Sequence, residues 1–285
     1  MSKKRQGELM MVACAFLWSI GGILMKYIDC SAFFIAGGRS LISGLVVFAY
    51  MKACNMKVQF NRQSVPAGIS LCGCVTCFVF ANKMTTAANA IVLQYVSPAV
   101  VLIISALFLG QKLRKMEIGV VALTFFGILF FFVDELDMGS MAGNFVAIAS
   151  GTCMGAMFIF NAKIDDMAVK MSGILFAHLM TAVIGLPMGV ASGHLNLDTR
   201  AVIFLILLGV VQLGIPYIIF GKASSLISPL ACSLISMVEP LLNPVWVALF
   251  YGEIPGFFAL VGGVIVLGAV VFYNIWDEKN SAATE

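Results

Sequence analysis

The sequence predicts an all-α polytopic membrane protein, with ten transmembrane helices arranged as two inverted five-helix repeats. Three observations carry this prediction: an apolar composition, ten apolar runs of spanning length, and a pattern that recurs at a fixed offset. Of the 285 residues, 61% are hydrophobic and 11% are charged, with a mean hydropathy of +1.03. Soluble domains carry about 25% charged residues. So much apolar surface requires lipid as its solvent, which excludes a soluble domain.

The apolar runs set the number of predicted helices. A helix that crosses the hydrocarbon core needs roughly 20 mainly apolar residues. Ten such runs lie at 8–28, 31–51, 66–84, 88–109, 116–133, 141–161, 172–191, 201–221, 228–250 and 256–276. The first run follows three cations, as a signal peptide does, but it is longer than a signal-peptide core and we predict a membrane helix. Strands are excluded for these runs, because open sheet edges are unsatisfied in lipid and barrel strands alternate in polarity.

The distribution of positive charge predicts the orientation. Cytoplasmic segments attract Lys and Arg, and an even number of helices puts both termini on one side. With the N-terminus inside, the cytoplasmic segments hold Lys3, Lys4, Arg5, Lys52, Lys57, Arg62, Lys112, Arg114, Lys115, Lys163, Lys170, Lys222 and Lys279. The acidic connection 134–137 falls outside. We therefore predict a multi-pass protein of the cell membrane with both termini in the cytoplasm.

Two stretches recur at an offset of 142 residues. The matching pairs are Val96-Ser97-Pro98 with Val238-Glu239-Pro240, and Ala106-Leu107-Phe108-Leu109-Gly110 with Ala248-Leu249-Phe250-Tyr251-Gly252. Chance similarity between Leu- and Val-rich helices is the alternative explanation. A duplicated five-helix unit would give one repeat at 1–137 and another at 138–285. Because five is odd, the second copy enters the membrane from the opposite side, as in transporters with a central site.

These motifs resemble the EamA group of the drug/metabolite transporter superfamily. The stretch 94–98 through 106–111 is similar to the fourth helix of that family, and 238–240 through 252–253 to its ninth. The stretch 13–19, with Lys26 beyond it, is similar to the first helix, and Arg39 matches the second. Gln111 and Met154 depart from the family pattern, which has an acidic residue and a tryptophan near these positions. The resemblance covers nearly the whole chain and implies a ten-helix transporter without identifying its substrate.

Glu239 is the most informative candidate for a functional role. It lies midway along the ninth run, where an acidic group costs roughly 2.5–3.5 kcal/mol on insertion scales. We expect it to bind substrate or a coupling proton; the alternative is a structural carboxyl group bonded to its neighbours. Arg39 lies at a similar depth in the second run, and an ion pair would offset part of both desolvation costs. For Arg39 we favour the alternative, hydrogen bonds to carbonyl groups or snorkelling towards the headgroups.

Other polar and aromatic side chains lie at comparable depths. As a group they form our predicted substrate site, although each alone is more typical of an interhelical contact. The group comprises Trp18, Asn82, Asn89, Gln94, Tyr95, Gln212, Tyr217 and Glu239.

Prolines inside the runs mark expected hinges, because each removes a backbone donor and clashes with the preceding turn. They are Pro98, Pro216, Pro240 and Pro244. A static kink is the alternative for each, and the repeat-equivalence of Pro98 and Pro240 favours hinges.

The remaining motifs exclude several function classes. Cys72 and Cys74 of the CxCxxC motif would face apart on a helix, so we predict no metal site. Phosphate loops, nucleophile elbows and basic nucleic-acid patches are missing from the sequence, so we predict no cofactor, no enzyme activity and no nucleic-acid partner.

The leading functional hypothesis is a secondary transporter that moves a small metabolite by alternating access, and the expected substrate is an amino acid or related compound that is exported. Its partners would be the substrate, the lipid bilayer and a coupling ion such as the proton, and a homodimer stays open. An organic-phosphate exchanger or a lipid-linked carrier flippase of the same superfamily is the first alternative. An intramembrane enzyme is less favoured, because Glu239 alone does not make a catalytic cluster.

Overall fold

The computed structural model describes residues 2–85, 87–131, 133, 140–251 and 256–282. Within these ranges the chain is helical and has no β-strand, apart from one isolated antiparallel bridge between Cys30 and Leu195. The predicted all-helical class is therefore confirmed. The acidic connection 134–137, the boundary between the two predicted repeats and Gly252 at the end of the second matching stretch lie outside the described residues.

Fourteen α-helices and one π-helix make up the described part. Up to residue 131 they are α1 (Lys3–Ser19), α2 (Gly21–Lys26), α3 (Ala32–Ala53), α4 (Ser64–Met84), α5 (Ala87–Gln94), α6 (Ser97–Leu109) and α7 (Lys115–Phe131). From residue 141 they are α8 (Met141–Ala162), α9 (Met167–Ala191), α10 (Thr199–Leu207), the π-helix Leu208–Gly214, α11 (Ile215–Ala223), α12 (Pro229–Ser236), α13 (Val238–Tyr251) and α14 (Phe257–Ala282).

Seven helical stretches in the described residues are long and apolar enough to cross a membrane. They are Ala32–Ala53, Ser64–Met84, Asn89–Phe108, Met141–Ala162, Met167–Ala191, Thr199–Ala223 and Phe257–Lys279. The other three predicted runs are helical but shorter or interrupted. The first is divided into α1 and α2, the fifth is the 17-residue helix α7, and the ninth is divided into α12 and α13.

Two of the interruptions occur at equivalent positions. Helix α5 ends at Gln94 and α12 ends at Ser236, which are 142 residues apart. In each case a proline follows four residues later, so its missing N–H leaves the carbonyl group of Gln94 or Ser236 without the usual helical donor. Pro98 and Pro240 therefore account for the break in each helix.

Glycines allow the helices to approach closely. A Cβ atom on Gly37 of α3 would lie 2.5 Å from the backbone nitrogen of Leu186 in α9, and one on Gly185 would lie 2.7 Å from the carbonyl oxygen of Phe33. Gly127 of α7 likewise leaves no room for a Cβ beside Val266 of α14. Small residues at such crossings permit backbone contact in membranes.

The two ends of the bundle are held by different contacts. At one end, the backbone N–H of Ser31 donates to the carbonyl oxygen of His194 at 3.0 Å, which joins the α2–α3 and α9–α10 connections. At the other end, Lys4 forms an ion pair with Asp277 at 2.6 Å. This second contact joins the start of α1 to the last turns of α14, so these two helix ends lie at the same end of the bundle.

Candidate functional site

A small cavity lies where eight helical elements converge at the centre of the bundle. It is lined by Trp18, Arg39, Cys74, Val75, Phe78, Gln94, Met154, Gln212, Leu213, Tyr217 and Glu239. Six of these were predicted from the sequence, and Tyr95 contacts the cavity through Glu239. The volume of about 30 Å³ is enough for water but far below the roughly 300–1,000 Å³ of ordinary ligand pockets. A metabolite therefore requires the lining side chains to move apart.

Arg39 is fully buried in α3, with 1% of its surface exposed. Its Nη2 donates to the carbonyl oxygen of Val75 at 2.9 Å, and its Nη1 donates to Oε1 of Gln212 at 3.2 Å. Its Nε has no hydrogen-bond partner. The acceptors that hold the guanidinium group are thus neutral, and one donor is left over.

Glu239 is partly exposed and lies in the first turn of α13. The hydroxyl group of Tyr95 donates to Oε2 of Glu239 at 2.8 Å and contacts the carbonyl oxygen of Ser236 at the same distance. That carbonyl is the one that Pro240 leaves without a helical donor. Tyr95 therefore provides a hydrogen-bond partner for the free carbonyl group at the helix break and also for the acidic group of the cavity.

Arg39 and Glu239 line the same cavity without forming an ion pair. Among the described residues, ion pairs within 4.0 Å join Lys4 to Asp277 and His194 to Asp29, and neither pair is in the cavity. Of the two alternatives that the sequence left open for Arg39, hydrogen bonds to a carbonyl group are the one observed. The cavity thus contains a cationic and an acidic group held apart by separate partners.

Aromatic rings form one wall of the cavity. The rings of Trp18 and Tyr217 lie 5.4 Å apart, and the ring of His178 meets Tyr217 edge-on at 5.4 Å. The indole N–H of Trp18 and both ring nitrogens of His178 are buried without a hydrogen-bond partner. Unsatisfied polar atoms of this kind are uncommon in native structures; Trp18 lines the cavity itself, and His178 contacts the lining residue Tyr217.

Gln94 joins three elements at the opposite wall. Its Nε2 donates to the hydroxyl group of Ser150 at 3.0 Å, and that hydroxyl donates to the carbonyl oxygen of Cys74 at 2.9 Å. The end of α5, the middle of α8 and the middle of α4 are therefore fixed relative to each other.

Asn82 and Asn89 are not among the residues that line the cavity. Asn82 donates to the carbonyl oxygen of Phe78 in its own helix at 3.0 Å. Asn89 contacts Thr85 and Asn144 at 3.4 and 3.3 Å. The bond of Asn82 thus lies within α4, whereas that of Asn89 to Asn144 reaches α8, and neither contact supports the substrate role predicted for these residues.

The prolines predicted as hinges lie at or near helix starts. Pro98 is the second residue of α6, Pro240 the third of α13, and Pro216 the second of α11, directly after the π-helix. Pro244 lies within α13. Three of the four therefore stand at interruptions of regular helix, where a hinge is structurally feasible.

Several cavity residues were not predicted. Val75, Phe78 and Leu213 are apolar, and in a membrane protein the sequence does not distinguish a cavity-lining from a lipid-facing apolar side chain. Cys74 and Met154 were noticed only as part of a motif and as a departure from the family pattern. Lys170 was counted as a cytoplasmic cation, but it is fully buried and donates to Ser225 at 2.6 Å.

A second, larger cavity of about 600 Å³ opens between α6, α7, α12 and α14, at the end of the bundle that holds the termini. Its walls are Val101, Leu102, Ser105, Gln111, Lys112, Leu113, Arg114, Glu117, Ser228, Pro229, Leu230, Tyr273 and Asp277. Four buried residues that lie along the chain between the lining residues of the two cavities form a layer: Tyr95, Ser97, Ser233 and Ser236. In this layer the hydroxyl groups of Ser97 and Ser233 lie 3.2 Å apart, one helical turn inward from Val101 and Leu230.

Apolar helices around a charged central cavity define a membrane protein that handles a polar small molecule, because intramembrane charges mark substrate or ion paths. A family model supports this class: the EamA-like transporter family matches residues 5–133 and 141–275. The chain belongs to this family of transporters, and it is a multi-pass membrane protein.

Two similar curated proteins are both described as the pseudopaline exporter CntI, from two strains of Pseudomonas aeruginosa. Each is 22% identical over 277 residues, which cover 94% of this chain and 95% of the relative. A crystal structure described only as that of a protein has a TM-score of 0.78 and 15% identity, covering 97% of this chain and 99% of the other. This likeness supports the fold.

Proposed function

We propose that the protein is a secondary transporter that exports a small zwitterionic metabolite, an amino acid or a related compound, by alternating access. The observation that carries the proposal is that Arg39 and Glu239 line the same cavity and form no ion pair with each other. Arg39 would bind the carboxylate of the substrate, and Glu239 would bind its ammonium group. Bidentate contact of guanidinium with carboxylate is among the strongest hydrogen-bonded pairs in proteins.

Export is supported by the full-length similarity to the pseudopaline exporter. The substrate of that relative does not transfer at 22% identity. We carry over to this chain only the class of process, the export of a metabolite. An organic-phosphate exchanger is disfavoured, because Arg39 is the single cation among the residues that line the described central cavity. A lipid-linked carrier would also need a far larger path.

Ten membrane crossings in two inverted repeats, 1–137 and 138–285, are the architecture that we propose. The family match falls into two segments of similar length. Helix packing supports this proposal, because the contacts pair up as two such copies would require: α4 packs on α8 as α11 packs on α1, while α3 packs on its proposed counterpart α9, and α7 on α14. With both termini in the cytoplasm, reporter fusions at residues 1 and 285 should both read as cytoplasmic. Opposite readings would overturn the architecture.

Alternating access is supported by the two cavities. The larger one faces the terminal end, which the charge distribution makes cytoplasmic, and the layer of Tyr95, Ser97, Ser233 and Ser236 closes the central one from it. This layer is formed by the two proline-broken helices. Movement at Pro98 and Pro240 would open it and admit a substrate from the cytoplasm. Because the carboxylate of Glu239 can bind a proton, the proton is the coupling ion that we favour. The substrate gradient is the alternative energy source.

The test is flux in proteoliposomes for a panel of amino acids, amines and nucleobases, with and without a pH gradient. We expect the wild type to transport at least one amino acid. Glu239→Gln should remove that flux, or its response to the gradient, while the purified protein stays monodisperse. Glu278→Gln, at the exposed end of α14, is the matched control and should keep both. Wild-type flux and coupling in Glu239→Gln would remove Glu239 from the mechanism.

A further inference from the structure

The guanidinium group of Arg39 is held by neutral groups from three different elements. The acceptors are the carbonyl oxygen of Val75, the amide oxygen of Gln212 and, at 3.8 Å, the sulfur of Met25. Among the described residues, no carboxylate lies within ion-pair distance of it. The positive charge is therefore oriented by its surroundings but not neutralised by them.

Gln212 reaches Arg39 because of an unusual backbone. It lies in the π-helix Leu208–Gly214, between α10 and α11. Such segments are rare, and they occur frequently at functional sites. The π-helix is pressed against α3, since a Cβ atom on Gly209 would lie 2.9 Å from the carbonyl oxygen of Arg39. The local geometry thus places the side chain at 212 directly beside the guanidinium group.

A second glycine makes room for the amide. A Cβ atom on Gly21 would lie 2.9 Å from Nε2 and 3.0 Å from Cδ of Gln212. Gly21 begins α2, directly after the interruption that ends α1. The amide is therefore confined from two sides, by Arg39 and by the start of α2, and only 5% of Gln212 is exposed.

We propose that Gln212 determines the specificity of the site, by keeping Arg39 a free cation that selects substrates with a carboxylate group. Glutamate has the same shape as glutamine, so a carboxylate at 212 would occupy the same position and neutralise Arg39. A buried donor left without its acceptor is costly, and a site built for a hydrogen-bonding group rejects ligands that lack it. In the native site an amine without a carboxylate leaves Arg39 unpaired. This inference rests on the proposed function.

The experiment compares amino acids with the amines formed by removing their carboxylate. Proteoliposomes are assayed with labelled phenylalanine and phenethylamine, lysine and cadaverine, and glutamate and γ-aminobutyrate, the last pair losing one of two carboxylates. The measured quantity is the flux ratio within each pair. We expect the wild type to favour the amino acid in at least one pair. Gln212→Glu should lower that ratio by at least about tenfold, a change of 1.4 kcal/mol, with the amine flux retained.

Gln94→Glu is the matched control. It introduces the same carboxylate into the same cavity, but beside Ser150 instead of Arg39. If the ratio falls equally in both variants, the total charge of the cavity decides specificity and the proposal for Gln212 is wrong. An unchanged ratio in Gln212→Glu overturns it as well.

Two further variants separate charge from packing. Gln212→Met removes the hydrogen bond but adds no charge, so the KM for the amino acid should rise while the flux ratio keeps its direction. Gly21→Ala displaces the native amide and should act in the same way, which keeps the proposal testable if Gln212→Glu does not fold. If KM stays at the wild-type value in both, Gln212 does not position Arg39. If the wild type transports no member of any pair, the proposed function fails instead.

Discussion

The two proline-broken helices share an architecture but differ in chemistry. At the offset of 142 residues, Ser97 corresponds to Glu239, so one break carries a hydroxyl group and the other an acid. The freed carbonyl of Ser236 accepts a hydrogen bond from Tyr95, whereas the freed carbonyl of Gln94 is approached by Gly151 of α8. At one break, the freed carbonyl group bonds a side chain that also bonds Glu239. At the other, the freed carbonyl group is packed against the backbone of a neighbouring helix.

This difference suggests different roles for the two breaks: the break at Ser236 is linked to a functional group, and the break at Gln94 is a packing site. Tyr95, which lies between α5 and α6, bonds Glu239 of α13, so the acid is in direct contact with the layer between the two cavities. The Gln94 break has no such charged group, and Gly151 and Gly155 let α8 pack directly on it. The comparison predicts that substitutions of the groups that satisfy the break at Ser236 impair transport. Substitutions of the groups packed against the break at Gln94 should instead impair folding.

Gly151→Ala should produce the larger effect on stability. The added methyl group would overlap the carbonyl oxygen of Gln94 and lie 2.8 Å from Val96, and backbone atoms cannot give way as a flexible side chain can. Overpacking of this kind typically costs about 1–3 kcal/mol. Thermal unfolding in detergent, followed by size-exclusion chromatography, should show a clearly lower midpoint.

Gly119→Ala on α7 is the control for that variant, because no atom lies within 4 Å of its added methyl group. Alanine favours a helix over glycine by about 1 kcal/mol, so its midpoint should be unchanged or raised. If both variants unfold at the wild-type temperature, α8 does not depend on contact with the break at Gln94.

The fold was more predictable from the sequence than the site. Apolar runs and their length indicate helices directly, since lipid leaves the backbone few alternatives. The sequence also pointed to the breaks, because Pro98 and Pro240 have no backbone N–H group to donate the regular helical hydrogen bond. The π-helix was not predictable, because no residue type marks an extra residue within an apolar run. That single feature decides where Gln212 points.

Side-chain roles were predictable only where polarity was conspicuous. Arg39, Glu239 and Gln94 stand out in apolar runs, and the cavity contains all three. Asn82 and Asn89 stand out equally, yet Asn82 bonds within its own helix and Asn89 bonds to a neighbouring one, because depth in the membrane does not determine the direction that a side chain faces. His178 was overlooked, since one histidine in an apolar run is usually a packing residue; its unsatisfied ring nitrogens are visible only in three dimensions.

Tyr95→Phe should have a smaller effect on stability and a specific one on transport. It removes the hydroxyl group that bonds both Glu239 and the freed carbonyl of Ser236, while the ring keeps its buried position. The loss of a hydrogen bond to a charged group is worth about 1.5–3 kcal/mol. We expect flux per folded molecule to fall by about tenfold, the equivalent of 1.4 kcal/mol. Tyr50→Phe, which keeps the ring under Lys222, should transport normally.

A double variant separates the two roles of Tyr95. If its hydroxyl group acts through Glu239, the unfolding free energies of Tyr95→Phe and Glu239→Gln will not add, with a coupling of about 0.5–3 kcal/mol. Additive effects would mean that Tyr95 only repairs the helix break at Ser236. In that case the two breaks would be alike after all, each satisfied by its neighbours, and the acid would act without a link to the layer between the cavities.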